Sequence, residues 1–251
     1  MTWGAIVTGA GSPSGIGFAV AQSLVAQGIP VVVTSTTDRI LERAHELSAG
    51  GGQAVGLVAD LTNIADVETV VGRAITGVGP IGILVNNAGM ASITTTTLGG
   101  DVVDTDDFTW RGGLDRNLTT AFHMCRAVVP HMRQNSYGRI VNIASVTGPV
   151  MAMRREVAYG AAKAGLVGLT RAISVDEAQH GITCNAVAPG WISTGSQTAH
   201  EAAQGLTVPA GRSGTAREVA HAVAMLCSPD AGYITGQVLS VDGGNSIGEE
   251  R

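Results

Sequence analysis

Short apolar runs alternate with amphipathic stretches along the whole chain. Residues 3–8, 30–34, 54–58, 83–86, 139–143, 182–187 and 236–242 are brief and rich in β-branched side chains, the pattern of strands buried on both faces. Between them, residues 15–27 carry Ile16, Ala19, Val20, Leu24 and Gln27 at helical spacing before Gly28 stops the run. Further helices are predicted over 38–49, 64–75, 159–175 and 217–226, the last capped by Thr215, with a long one leading through Asn117 and Cys125 to Met132. Strands this apolar, alternating with helices, predict an α/β fold with a parallel sheet covered on both faces. Ligands in such sheets bind beyond the C-terminal ends of the strands. Thr8, Thr34-Ser35, Asp60, Asn86-Asn87 and Ser145 all fall at such ends, so one crevice collects them.

Two stretches lack clear periodicity. Residues 92–100 read as a loop, and residues 191–214, rich in Gly, Ser, Thr and Pro, read as a mobile substrate lid. The acidic run Asp101–Asp107 has a plain reading as a helix N-cap, Thr105 or a neighbour, with carboxylates in the first turn. No internal repeat or linker divides the 251 residues, which read as one domain, 1–251, large enough to bury a core.

Charge and cysteine usage narrow the classes. Fifteen Lys and Arg stand against 20 Asp and Glu, a formal net charge of -5 with no basic run, so the electrostatic footprint of a nucleic-acid binder is absent. Cys125, Cys184 and Cys227 are far apart in apolar segments, which suits reduced core thiols. Met1 leads straight into a strand with no basic leader, and no apolar run reaches the length of a membrane span, so a cytoplasmic location without membrane contact is expected. The six histidines show no metal or triad spacing, and Ala144-Ser145-Val146-Thr147-Gly148 lacks the leading glycine of a nucleophile elbow; no metal site is expected.

Chemistry concentrates in two places. Thr8-Gly9-Ala10-Gly11-Ser12-Pro13-Ser14-Gly15-Ile16-Gly17 follows a strand and opens a helix, where backbone N–H groups and the helix dipole hold a pyrophosphate. Ser145 ends the strand Arg139–Ile143, and Tyr159 and Lys163 lie four apart on a helix of small residues. On one face, the Lys163 ammonium would lower the proton affinity of the Tyr159 phenol and fit it for proton transfer near neutral pH. Asn117 is polar in a largely apolar helical stretch, a functional or a local hydrogen-bonding position.

Thr8-Gly9 with Gly15-Ile16-Gly17, Asp60, Asn86-Asn87-Ala88-Gly89, Asn117, Ser145, Tyr159-x-x-x-Lys163, Pro189-Gly190 and Val241-Asp242-Gly243-Gly244 together resemble the short-chain dehydrogenase/reductase family, and within it the 3-oxoacyl-acyl-carrier-protein reductase-like branch. The resemblance covers essentially the whole chain. It implies a single Rossmann domain, a doubly wound sheet of seven parallel strands, usually in a homotetramer. Tyr159 would exchange a proton with the substrate oxygen as hydride moves to or from the nicotinamide, and Ser145 would hydrogen-bond the same oxygen. Lys163 would acidify Tyr159 and bind the nicotinamide ribose, while Asn117 would hold a water linking Lys163 to solvent. Asp60 and Leu61 would meet the adenine, Asn87, Ala88 and Gly89 the adenosine, Gly9, Ser14, Gly15, Ile16 and Gly17 the phosphates, and Pro189, Gly190, Ile192 and Thr194 the carboxamide end. The glycine turn here is two residues longer than the family's usual spacing, and Ser14 stands where a basic residue is common.

By position, Met90, Val150, Met151, Met153 and Trp191 would line an apolar, adaptable pocket for a ketone or secondary alcohol. At the end of the second strand Ser35 and Thr36 replace the carboxylate that selects NAD, and Arg39 follows, so NADP is expected over NAD. The expected activity is therefore NAD(P)-dependent interconversion of a ketone and a secondary alcohol, a 3-oxoacyl thioester reductase being a narrower form of it. A catalytically silent nucleotide-binding scaffold is the alternative, against which the intact set of Asn117, Ser145, Tyr159 and Lys163 argues.

Overall fold

A computed structural model of the protein describes residues 3–89 and 99–248. Its strands are β1 (Gly4–Val7), β2 (Val31–Ser35), β3 (Ala54–Val58), β4 (Ile81–Asn86), β5 (Gly138–Ile143), β6 (Ile182–Pro189), β7 (Ile192–Ser193), β8 (Gly214–Thr215) and β9 (Val238–Val241). Seven form one parallel sheet in the order β3-β2-β1-β4-β5-β6-β9, and β7 pairs with β8 apart from it. The helices are α1 (Ile16–Ala26), α2 (Arg39–Ala49), α3 (Ile64–Val78), α4 (Asp107–Leu114), α5 (Thr120–Gln134), α6 (Val157–Glu177), α7 (Ala199–Gly205) and α8 (Ala216–Cys227). This is the doubly wound Rossmann-type α/β fold that the alternation of elements predicts.

Strand alternation builds the core on both faces. Ala5, Val7, Val31, Val33, Ile83 and Val85 pack with α1, α2 and α8, while Ile6, Val32, Leu84 and Ile140 pack with α3 and α5. Strand order reverses between β1 and β4, and the crevice opens at that switch point. A buried polar chain crosses the next strands: Asn86 Nδ2 donates to Asn142 Oδ1 at 2.9 Å, and Asn142 Nδ2 donates to Thr170 Oγ1 of α6 at 2.8 Å. The three cysteines are buried and unpaired, and burial pushes the Cys125 and Cys227 thiols up to about 12. Among the described residues no helix is long and apolar enough to cross a membrane.

Three elements differ from expectation. β6 runs on through Pro189, which the strand accommodates at its last position, where its Val241 partner ends β9. The long helix before β5 is interrupted by a π turn over Asp115–Thr119. Residues 191–214 hold regular structure: β7 and β8 pair, and α7 begins at a capping box in which Glu201 N–H donates to Thr198 Oγ1 and Thr198 N–H donates to Glu201 Oε2. The cap expected at Thr105 or a neighbour is Asp106, whose carboxylate accepts from Thr109 N–H at 2.7 Å at the start of α4. Most of the expected loop 92–100 lies outside the described residues.

α4 reaches α6 through Gly113, where an added Cβ would sit 2.6 Å from Ala158 Cβ. Gly113→Ala is therefore expected to lower stability by about 1–3 kcal/mol through overpacking. The check is urea unfolding, where the midpoint should fall with the slope unchanged.

Candidate active site

Backbone pairing to β6 extends past β5: Ala144 N–H donates to Val187 O at 2.8 Å and Val146 N–H to Pro189 O at 3.1 Å. Ser145 is thereby held at the strand's C-terminal end, nearly buried, with its Oγ accepting from Thr147 N–H at 3.1 Å. Its hydroxyl also hydrogen-bonds the Tyr159 phenol. One turn further along α6, Lys163 is buried, donates from Nζ to Ile143 O at 2.9 Å and lies 5.6 Å from the Tyr159 ring centroid.

Asn117 reaches the same place from the π turn. There Thr120 N–H bonds Asp115 O, five residues back, so the Arg116 carbonyl takes the Thr120 hydroxyl instead, at 3.0 Å. Asn117 itself is buried, and its Nδ2 donates to Gly113 O at 3.1 Å. A Cβ built at Gly89 would stand 2.8 Å from Asn117 Oδ1 and 3.3 Å from Lys163 Nζ, so the bare backbone after β4 closes this cluster.

Burial sets the electrostatics. Desolvation pulls the Lys163 ammonium down to about 8. The Tyr159 phenol is raised above its ordinary range, chiefly by burial, with the Ser145 hydrogen bond opposing and the Glu156 and Glu201 charges adding to the rise. The net shift of the phenol is thus opposite in direction to the expected acidification, burial being the largest cause, and Lys163 spends its Nζ on the Ile143 carbonyl with its own charge desolvated. The phenol stays protonated at neutral pH, the form of a proton donor.

The glycine turn rests against the end of β4. Asn87 Nδ2 donates to Thr8 O and Gly9 O, each at 2.9 Å, and the N–H groups of Asn87 and Ala88 donate to Thr8 Oγ1 at 3.0 and 2.9 Å. Gly9 has φ +69, and a Cβ there would meet Ala88 Cα at 2.8 Å. At Gly17 a Cβ would meet Asn87 Nδ2 at 2.5 Å. α1 starts at Gly15 with no side-chain cap and no acidic residue in its first turn, which leaves its N-terminal N–H groups open to an anion. Ser14 Oγ accepts from Gly195 N–H at 2.8 Å and so joins the turn to the segment after β7.

At the end of β2, the Ser35 hydroxyl donates to Thr37 O at 2.8 Å, Thr36 is exposed, and Arg39 Nε donates to Thr37 Oγ1 at 3.2 Å. At the end of β3, Asp60 Oδ1 accepts from the Thr62 N–H and hydroxyl at 3.0 and 2.7 Å. The Leu61 side chain is buried in the core, and its carbonyl lies 3.1 Å from His123 Nδ1 in a hydrogen bond.

A cavity of about 590 Å³ gathers Asn117, Ser145, Tyr159 and Lys163 with Ile16, Asn87, Pro189, Gly190, Ile192 and Thr194. Met151, Met153 and Trp191 line it as expected by position, whereas Val150 does not, and Met90 lies outside the described residues. Glu156, Gln197, Glu201 and Asn245 line it too, unforeseen from sequence. Only the Thr198-x-x-Glu201 capping pattern could have flagged one of them, by announcing α7.

The family model described as enoyl-(acyl carrier protein) reductase matches residues 9–246. The chain belongs to the short-chain dehydrogenase/reductase family. Among family relatives, 3-oxoacyl-acyl-carrier-protein reductase of Escherichia coli strain K12 is 38% identical over 244 residues, covering 96% of each chain. The Haemophilus influenzae enzyme of that name is 40% identical over 245 residues, again 96% of each. D-beta-hydroxybutyrate dehydrogenase of Cupriavidus necator is 34% identical with 96% of each chain covered. A crystal structure of an actinorhodin polyketide ketoreductase variant with NADPH superposes with TM-score 0.89 at 33% identity, over 98% of both chains.

The buried Lys163 makes a pH-dependent stability test available. Its folded-state value, about 8, lies below the ordinary 10.5, so between these values the unfolded chain holds the extra proton and stability rises with pH. Below pH 8 both states are charged and the full desolvation penalty applies. The stability of the unmodified protein relative to Lys163→Met is therefore expected to increase by on the order of 3 kcal/mol from pH 7 to 10.5. Urea unfolding of both proteins at each pH reads this, and a constant difference would refute the burial account.

Proposed function

We propose that this protein is an NAD(P)(H)-dependent ketoreductase that interconverts a ketone and a secondary alcohol, with NADPH as the favoured reductant. The carrying observation is the convergence of Asn117, Ser145, Tyr159 and Lys163 on one cavity beside the glycine turn. A scaffold would be better served by an apolar side chain at 163, since a buried ammonium costs stability; its retention supports catalysis.

The open N-terminus of α1 and the glycine contacts fit a dinucleotide pyrophosphate, with Ile192 and Thr194 near its nicotinamide end and Asp60, Asn87, Ala88 and Gly89 along its adenosine. When bound, the nicotinamide supplies or accepts the hydride. The chain's own residues manage the charge that then appears on oxygen. Tyr159 donates its phenolic proton to the substrate oxygen, and Ser145, already bonded to that phenol, donates to the same oxygen. Lys163 fixes α6 against the end of β5 and places a cation behind the phenol, which stabilises the phenolate left after transfer. Asn117, whose Oδ1 borders Gly89 as the Lys163 Nζ does, is placed to hold a water that links Lys163 to solvent.

NADP preference is supported by the end of β2, where hydroxyls stand in place of a carboxylate and Thr37 steadies the Arg39 guanidinium. The relatives' names span a carrier-bound thioester and a hydroxy acid. Carrier docking through Arg155 is disfavoured because Asp104 and Asp101 pair with it at 3.4 and 3.7 Å. Exposed Tyr233, Leu239 and Ile247 near the β9 edge support the expected homotetramer.

Tyr159→Phe is expected to cut turnover by roughly 10²–10⁴-fold while leaving cofactor binding nearly intact. Near-normal turnover in a panel of ketones, followed at the reduced nicotinamide band, would sink the assignment. The raised phenol gives a second expectation: reduction holds through neutral pH and falls only in the alkaline range, whereas alcohol oxidation climbs with pH as phenolate forms. For the cofactor, Ser35→Asp is expected to shift kcat/KM toward NAD by about tenfold or more, or 1.4 kcal/mol. An unmodified protein that already prefers NAD would overturn the NADP reading.

A further inference from the structure

The charged side chains lining the cavity are Glu156, Glu201 and Lys163. Lys163 is buried at the floor behind Tyr159 and committed to the Ile143 carbonyl, so it offers nothing to the far end of a substrate. The two carboxylates line the same cavity and are each half-buried. Glu156 starts α6, and a Cβ built at Gly99 would come 3.3 Å from its Oε1, which places the carboxylate beside another lining residue. Glu201 is fixed at the start of α7, where its Oε2 accepts from Thr198 N–H at 2.6 Å.

Among the described residues neither glutamate forms an ion pair; Arg155 is taken by Asp101 and Asp104, Arg212 by Glu218, and Arg154 is exposed outside the lining. Residues 90–98 contain no ionisable side chain. The two carboxylates act on each other and on the reaction centre: Glu201 adds to the rise that burial imposes on Glu156, and both add to the rise at Tyr159. Val146, Met151 and Met153 line the same cavity and offer a negative group no hydrogen-bond donor.

Resting on the ketoreductase reading above, we propose that Glu156 and Glu201 select by charge, admitting neutral or cationic ketones and rejecting ketones that carry a carboxylate. An anionic substrate would meet desolvation by the apolar wall and repulsion from two fixed carboxylates at once, a discrimination built against the wrong ligand. This separates the protein's substrates from free 3-oxo acids and directs it to esters, thioesters, amides or simple ketones.

The test compares ethyl 3-oxobutanoate with 3-oxobutanoate at neutral pH with NADPH, in the unmodified protein and in Glu156→Gln, Glu201→Gln and the double variant. Glutamine keeps the size of each side chain and can still close the α7 capping box. The kcat/KM ratio of ester to acid is expected to be at least tenfold in the unmodified protein. In the double variant that ratio should shrink by about tenfold, or 1.4 kcal/mol. Calorimetric binding of hexanamide against hexanoate, with NADP present, reads the same selection without turnover. Equal handling of acid and neutral ligand in the unmodified protein, or a ratio that the double variant leaves unmoved, overturns the proposal. Selective binding of the amide without reduction of either ketone would sink the ketoreductase reading and leave the charge selection standing.

Discussion

A single buried ammonium organises this molecule. Lys163 has left water, and what holds it in place is a strand-end carbonyl, Ile143 O, that β5 presents to α6. The helix must lie very close for that bond to form. Glycine permits the approach: at Gly148, with φ +103, a Cβ would fall 2.3 Å from Gly160 O, and at Gly165 it would meet Leu118 at 2.9 Å. Tyr159 and Ser145 inherit their positions from this docking, because one precedes Lys163 by a turn and the other continues the strand that supplies the carbonyl.

The same closeness decides the chemistry. Burial that lowers the proton affinity of Lys163 raises that of Tyr159, because desolvation disfavours the charged form of each, and the two groups are driven apart. The phenol then rests protonated with a hydroxyl bonded to it and a cation behind it. Around this centre the backbone is held by side chains whose work is structural: Asn87 and Thr8 lock the glycine turn to β4, and Asn86 and Asn142 tie β4 and β5 to α6. The turn's two extra residues leave this bracing intact, and Ser14 at its end accepts from Gly195 N–H, next to the cavity-lining Thr194 and Ser196.

Specificity is set further out, where α6 and α7 begin. Apolar side chains line much of the cavity, and two carboxylates at helix starts give its lining a sign. Each glutamate has a local reason to be where it is, Glu201 as a capping residue above all. Their joint effect on a ligand exists only because residues 45 apart in sequence border one opening.

What the sequence determined by itself is what depends on near neighbours. Short apolar runs rich in β-branched residues placed all seven strands of the sheet, helical spacing placed the helices that cover it, and the Thr8–Gly17 turn and the Tyr159–Lys163 spacing announced their chemistry locally. Other features were decided by contacts between distant segments. The π turn that aims Asn117 depends on packing between α4, α5 and α6; α7 needed its short capping box to outweigh a sequence with weak periodicity. Tyr159 is raised and not lowered as spacing alone suggested, because spacing reports which groups share a helix face and says nothing of how much water reaches them. Depth of burial belongs to the tertiary structure, and with it the proton affinity of Tyr159 and the shared border of Glu156 and Glu201.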